Sequence, residues 1–220
     1  MHTGNQIWKR LNVNLEWLSG AISLSKLKRE LDSLLKPYGA KVKLVPISFS
    51  SKKHWYMIGG EYTPGKYHMP IDIELCYNRN KTYIYFTEKR RKRFIFLLNQ
   101  TLQHELVHKI QFKTKGDEKF YTHHFYFHPG KTFSSHKRLE YLAIVEELEA
   151  YAHDLAMEIK YHYPHIDPKQ IIENIDSFSN LTTWKMYRRA FKRTKWNHVR
   201  TELLRKTNKW LPHIKENFNA

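Results

Sequence analysis

His104 and His108 stand four residues apart in TLQHELVHKIQF, with Glu105 directly after the first. Four residues is about one helical turn, so on a helix both imidazoles project from one face and can reach the same metal ion. Glu105 then sits about 100° round the helix from His104, able to reach a water on that ion without being a ligand. Two neutral imidazoles plus a carboxylate base is the physical logic of the HExxH pattern: zinc activates a water and the carboxylate takes up its proton.

A catalytic zinc needs a third protein ligand and an open position. A histidine six residues after His108 is absent, because Thr114 stands there and Gln111 fills the position three residues on. The other source is a glutamate on a following helix, and RLEYLAIVEELEAYAHDLAMEI carries Glu140, Glu146, Glu147 and Glu149. If Leu148 centres the buried face with Ile144, Tyr151, Ala152, Leu155 and Ile159, Glu146 points away. Glu147 and Glu149 flank the apolar stripe, and Glu140 lies on the Glu147 side at an earlier turn.

The scaffold for these residues is legible in the periodicity. SLSKLKRELDSLLKPYG predicts an amphipathic helix over about 23–36, stopped by Pro37 and Gly39. KVKLVPISF, HWYMIGGEYT, IDIELCY and KTYIYFT predict up to four strands between 41 and 87, the last two as a hairpin around Asn78 to Asn80. From about 89 to 113, Phe94, Leu98, Leu102, Leu106 and Ile110 climb one side of a buried helix that contains the two histidines. Its first turn holds the cations of EKRRKRF, which oppose the helix dipole and so need some other partner. Residues 114–137 lack a period and read as a long loop, and the glutamate helix follows over about 138–160. Asp167 and Pro168 make a helix start, and two basic helices near 181–194 and 197–209 complete the reading.

A hydrophobic content of 41% in 220 residues supports a real core. The formal net charge of +17 favours an anionic partner. The stretch from Trp184 to Trp210 concentrates Lys and Arg among Tyr187, Phe191 and Trp196, which predicts aromatics facing the core and a cationic face able to meet phosphates or an acidic partner. A single cysteine, Cys76, excludes an internal disulfide framework and a cysteine zinc ribbon. No run of about 18 apolar residues occurs, and Lys9, Arg10 and Glu16 interrupt the N-terminal segment, so no membrane span is expected and a cytoplasmic location is. THHFYFH, with His123, His124 and His128, reads as a loop over a pocket or a further metal-ligand source; PGKT at 129–132 lacks the glycine spacing of a phosphate loop.

HELVH followed by an ExxA helix resembles the gluzincin zinc metallopeptidases. The order helix, small sheet, HExxH helix, glutamate helix also resembles the minimal core of ImmA/IrrE-like and other compact, often phage-borne, peptidases, over about 23–160. The resemblance implies an α+β fold with a minimal zincin-like core: an N-terminal helix, a small mostly antiparallel sheet, the HExxH helix and a Glu-bearing helix. It implies Zn2+ held by His104, His108 and Glu147 of ELEA, with Glu105 as general base and a protein or peptide substrate. Glu140 and Glu149 remain alternative third ligands. Tyr151 stands four residues after Glu147, where several families carry Asp or Asn, so no partner for a ligand histidine is assigned. Tyr151, His153 and the loop histidines are the candidates for stabilising an oxyanion, and KTYIYFT for an edge on which a peptide pairs. Residues 1–160 are expected to form the peptidase core and 161–220 a basic helical extension packed on it. The alternative function is a basic nucleic-acid-binding or assembly protein with an inactive zincin-like core.

Overall fold

Ile7, Trp8 and Leu11 bury one side of an N-terminal helix, α1 (Gly4–Asn14), in the computed structural model of the chain. The structure describes residues 4–48, 56–62, 71–115, 141–191, 193–215 and 218. A short strand, β1 (Gly20–Ser23), leads into α2 (Leu24–Leu35), where Ser23 caps the helix by accepting from the Lys26 amide and five leucines are buried. Pro37 opens a single tight turn over Lys36–Tyr38, and Gly39 leaves it with φ +71°, a left-handed conformation that only glycine adopts cheaply.

Four further strands follow: β2 (Ala40–Ile47), β3 (Tyr56–Glu61), β4 (Ile71–Asn78) and β5 (Tyr83–Phe86). β4 lies between β2, to which it is parallel, and β3, to which it is antiparallel. Because both edges of β4 are taken, the expected β4–β5 hairpin does not form. The turn exists, with the Lys81 amide donating to the Asn78 carbonyl at 2.8 Å, but it carries the chain off the sheet. β5 pairs instead with β1, Ile22 opposite Ile84, in a separate antiparallel pair. The fold is thus α+β, with two antiparallel pairings and one parallel pairing.

The next helix, α3 (Glu88–Lys115), has 28 residues and is about 42 Å long. Phe94, Leu98 and Leu102 are fully buried, whereas Ile110 is 41% exposed, so the apolar stripe ends before the helix does. Part of its basic start is satisfied by backbone and part by acid: Arg91 donates to the Glu16 carbonyl at 2.8 Å, Arg90 to the Tyr85 carbonyl at 3.3 Å, and Lys92 pairs with Glu88 at 3.2 Å. The two arginine bonds pin the helix start to the β1–β5 side of the molecule and offset the unfavourable dipole.

The glutamate helix, α4 (Val145–His162), starts later than the sequence pattern predicts, because Ile144 is extended at φ −64°, ψ 138°. Eleven of its 18 residues are buried, packed between α3 and the C-terminal helices. α5 (Pro168–Glu173) begins at the expected Asp167 cap, and α6 (Thr182–Ala190) and α7 (Arg193–Trp210) follow. Trp184, Tyr187 and Phe191 face the core, and one buried apolar cluster runs through α1, the sheets, α3, α4 and the C-terminal helices. Phe218 packs edge-on against Trp8 and Phe96. No described helix is long and apolar enough to cross a membrane.

Candidate metal centre

α3 and α4 run side by side, and that packing brings together residues 104, 108 and 147. His104 Nε2 lies 3.2 Å from His108 Nε2, 3.8 Å from Glu147 Oε2, and His108 Nε2 lies 3.3 Å from Glu147 Oε1. All three side chains are buried. Tetrahedral zinc with bonds of about 2.0–2.1 Å places neighbouring ligand atoms roughly 3.3 Å apart, so the spacing is that of a zinc ligand set.

The protons decide what these atoms can do. His104 Nδ1 is 2.8 Å from Asp154 Oδ2, a group that only accepts when ionised, so the ring proton lies on Nδ1. His108 Nδ1 is 2.9 Å from Gln111 Oε1, and the orientation of that amide is fixed because its Nε2 donates to the Glu146 carbonyl at 3.1 Å. When both rings are neutral, as metal ligands must be, these bonds put each ring proton on Nδ1 and leave the two Nε2 lone pairs facing each other at 3.2 Å. Glu147 Oε2, also buried, has no hydrogen-bond partner among the described residues. Three lone-pair atoms aimed at one point inside a protein are costly unless a metal ion, or protonation of the rings beside Glu147, joins them. The donor set fits zinc.

The electrostatics follow the same geometry. Burial opposes charge on His104, but the carboxylates of Asp154 and Glu147 more than offset it and raise the ring's pKa well above its ordinary value. Burial likewise opposes charge on His108, and Glu147 reverses the balance. Burial pushes Glu147 up, yet the two imidazoles hold it below the usual carboxylate range. Glu105 is raised, mainly by burial.

Glu105 extends from α3 toward β3, where Gly60 makes room for it. A Cβ at residue 60 would stand 2.6 Å from Glu105 Oε1 and 2.8 Å from Thr101 Cγ2, closer than atoms approach. The strand beside the carboxylate is thus β3, which among the described residues forms an edge of its sheet. KTYIYFT, the candidate edge from sequence, belongs to β5, which pairs with β1 in a separate two-stranded sheet, whereas the strand beside Glu105 is β3.

Of the alternative third ligands, Glu149 is engaged elsewhere: it is ion-paired with Lys206 and accepts from Trp210 Nε1 at 2.8 Å. Glu140 and the loop histidines His123, His124 and His128 lie outside the described residues, as does the PGKT segment. Tyr151 sets its ring edge-on to His104 with centroids 4.8 Å apart, whereas His153 is packed against Trp210. Three contributors were not read from sequence. Asp154 and Gln111 fix the tautomers, and Tyr141 hydrogen-bonds the Glu147 carboxylate. Asp154 was findable, since seven residues after Glu147 is two turns on the same face.

The role of Asp154 gives a direct expectation. Asp154→Asn should lower zinc affinity about 10- to 100-fold by loosening the His104 tautomer, measured by competition with a chromophoric chelator, and excess zinc should restore occupancy. Comparisons with protein-family models, with curated proteins and with solved structures returned no match.

Proposed function

We propose that the chain is a zinc-dependent metallopeptidase of gluzincin type. The observation that carries the reading is the convergence of His104 Nε2, His108 Nε2 and a Glu147 carboxylate oxygen, with both Nδ1 atoms held by Asp154 and Gln111. Zinc held there would supply Lewis acidity toward water and toward a peptide carbonyl.

The remaining chemistry belongs to the chain's own side chains. Glu105 follows His104 and is not one of the three converging residues, so it is free to accept a proton from the attacking water and pass it to the leaving amine. The backbone of β3 beside it, bare of side chain at Gly60, offers an extended peptide an edge on which to pair. Tyr151, whose ring lies edge-on to His104, is the candidate hydroxyl donor to the oxyanion that develops at the carbonyl, while Tyr141 is engaged with Glu147.

Metal analysis coupled to activity tests the proposal. Wild-type protein purified without chelators should carry about one zinc per chain, lost in His108→Ala, and its hydrolysis of a peptide library should stop on chelation and return with zinc. Wild type that neither retains nor takes up zinc would overturn it.

A further inference from the structure

A concavity whose lining includes none of the metal group lies where the first half of α3 meets the last turns of α4 and the helix α6. It encloses about 1080 Å3, comparable to the larger small-molecule sites. Two pairs of cations spaced four apart line it: Lys89 and Arg93 on α3, Lys185 and Arg189 on α6. Like charges at that spacing repel along a helix. All four side chains are exposed, and none makes an ion pair or a side-chain hydrogen bond with another described residue. Helix stability therefore does not explain them.

The carboxylate among the lining residues, Glu158, does not serve as their counter-ion. Its oxygens accept from the Thr183 amide at 3.0 and 3.2 Å and from the Thr183 hydroxyl at 3.0 Å. Burial pushes its pKa up to about 8, so it is mostly uncharged at neutral pH. The cavity is consequently cationic. One wall is aromatic: the partly exposed Tyr161 stacks on the buried Phe96 with centroids 3.9 Å apart and 17° between the planes. Ser179, Asn180 and Thr182 add neutral polar groups near the start of α6.

We propose that this cavity binds an organic phosphate of nucleotide size, its phosphate groups held by Lys89, Arg93, Lys185 and Arg189 and its ring against the Phe96–Tyr161 wall. Lys and Arg are the donors suited to phosphate, aromatic faces suit a base, and the overall positive charge favours encounter with anions. A free nucleotide and a nucleotide within a single strand share this chemistry.

Titrating the full chain with metal-free ATP by calorimetry, and with a fluorescein-labelled oligothymidine of about 12 nucleotides by anisotropy, tests the site and separates the sources. Arg93→Gln/Lys185→Gln removes two cavity charges, and Lys209→Gln/Lys215→Gln removes two exposed charges elsewhere. Wild type should bind at least one probe saturably, weakened more than about tenfold by the cavity pair and less than about twofold by the control pair. ATP that binds and displaces the oligonucleotide identifies a free nucleotide as the ligand. Oligonucleotide binding that ATP does not displace, with a log–log salt slope smaller by about 1.4 in the cavity variant, identifies a strand. Arg189→Gln, on α6 rather than α3, should weaken binding in the same direction, and melting curves confirm that each variant is folded. Wild type that binds neither probe, or equal weakening in the cavity and control variants, overturns the proposal. Zinc content enters none of these readouts.

Discussion

Replacing Glu105 by glutamine is expected to lower peptide hydrolysis about a thousandfold while zinc remains bound at one per chain. The three atoms that converge on the metal position come from His104, His108 and Glu147, so the substitution leaves the ligand set intact. Glutamine has the same shape as glutamate and fits under Gly60 without new contacts, which keeps β3 and α3 in place. What it loses is the ability to take a proton from water. The defect should therefore fall on kcat and persist at saturating zinc, in contrast to Asp154→Asn, whose deficit excess zinc repairs. Steady-state kinetics on a cleaved peptide from the library, run beside metal analysis of the same preparations, separates the two. An E105Q protein within about tenfold of wild type would remove Glu105 from the mechanism.

The second large effect concerns stability and pH. Glu158 is buried, and burial pushes its pKa from the ordinary 4.5 up to about 8, despite the hydrogen bonds from Thr183 and Gln100. Below pH 4.5 the group is protonated in the folded and the unfolded chain, and stability carries no cost from it. Between pH 4.5 and 8 the unfolded chain releases the proton and the folded chain keeps it, so stability falls as pH rises, levelling off above about 8. The full difference is on the order of 4 to 5 kcal/mol, from about 1.4 kcal/mol for each pH unit between the two values. Glu158→Gln keeps an acceptor for the Thr183 amide and removes the titration. Its melting temperature should gain on wild type steadily from pH 5 to pH 8, by several degrees at the upper end. Parallel pH profiles for the two proteins would show that Glu158 is ionised in the fold.

The metal-ligand pattern was legible because helix geometry is local. His104, Glu105 and His108 need only one turn, and the phase of an apolar stripe on a single helix narrows the third residue to its flanks, where Glu147 and Glu149 lie and the resemblance favours Glu147. What discriminates Glu147 from Glu149 is not local. Lys206 and Trp210, which engage Glu149, lie 57 and 61 residues away in the chain. Gln111 looked like a missing ligand and proves to be the residue that orients His108. Tyr141 reaches Glu147 across the extended backbone at Ile144, which no periodicity signals. Strand pairing was the least legible feature. β1 has four residues with one buried, too short to announce itself, yet it takes the place beside β5 that a hairpin would have given to β4.

The ion pair between Glu149 and Lys206, with Trp210 donating to the same carboxylate, has a consequence for the order of assembly. During synthesis α3 and α4 are complete long before α7 exists. Until Lys206 and Trp210 have left the ribosome and α7 (Arg193–Trp210) has docked, the helix that carries Glu147 has an unpaired acid two residues from the ligand and an uncovered apolar flank. A nascent chain stopped before α7 thus holds all three residues of the candidate metal group but lacks the contacts that Lys206 and Trp210 make with Glu149. If the chain is the peptidase proposed above, the contacts that brace the helix bearing Glu147 are complete only once α7 has docked.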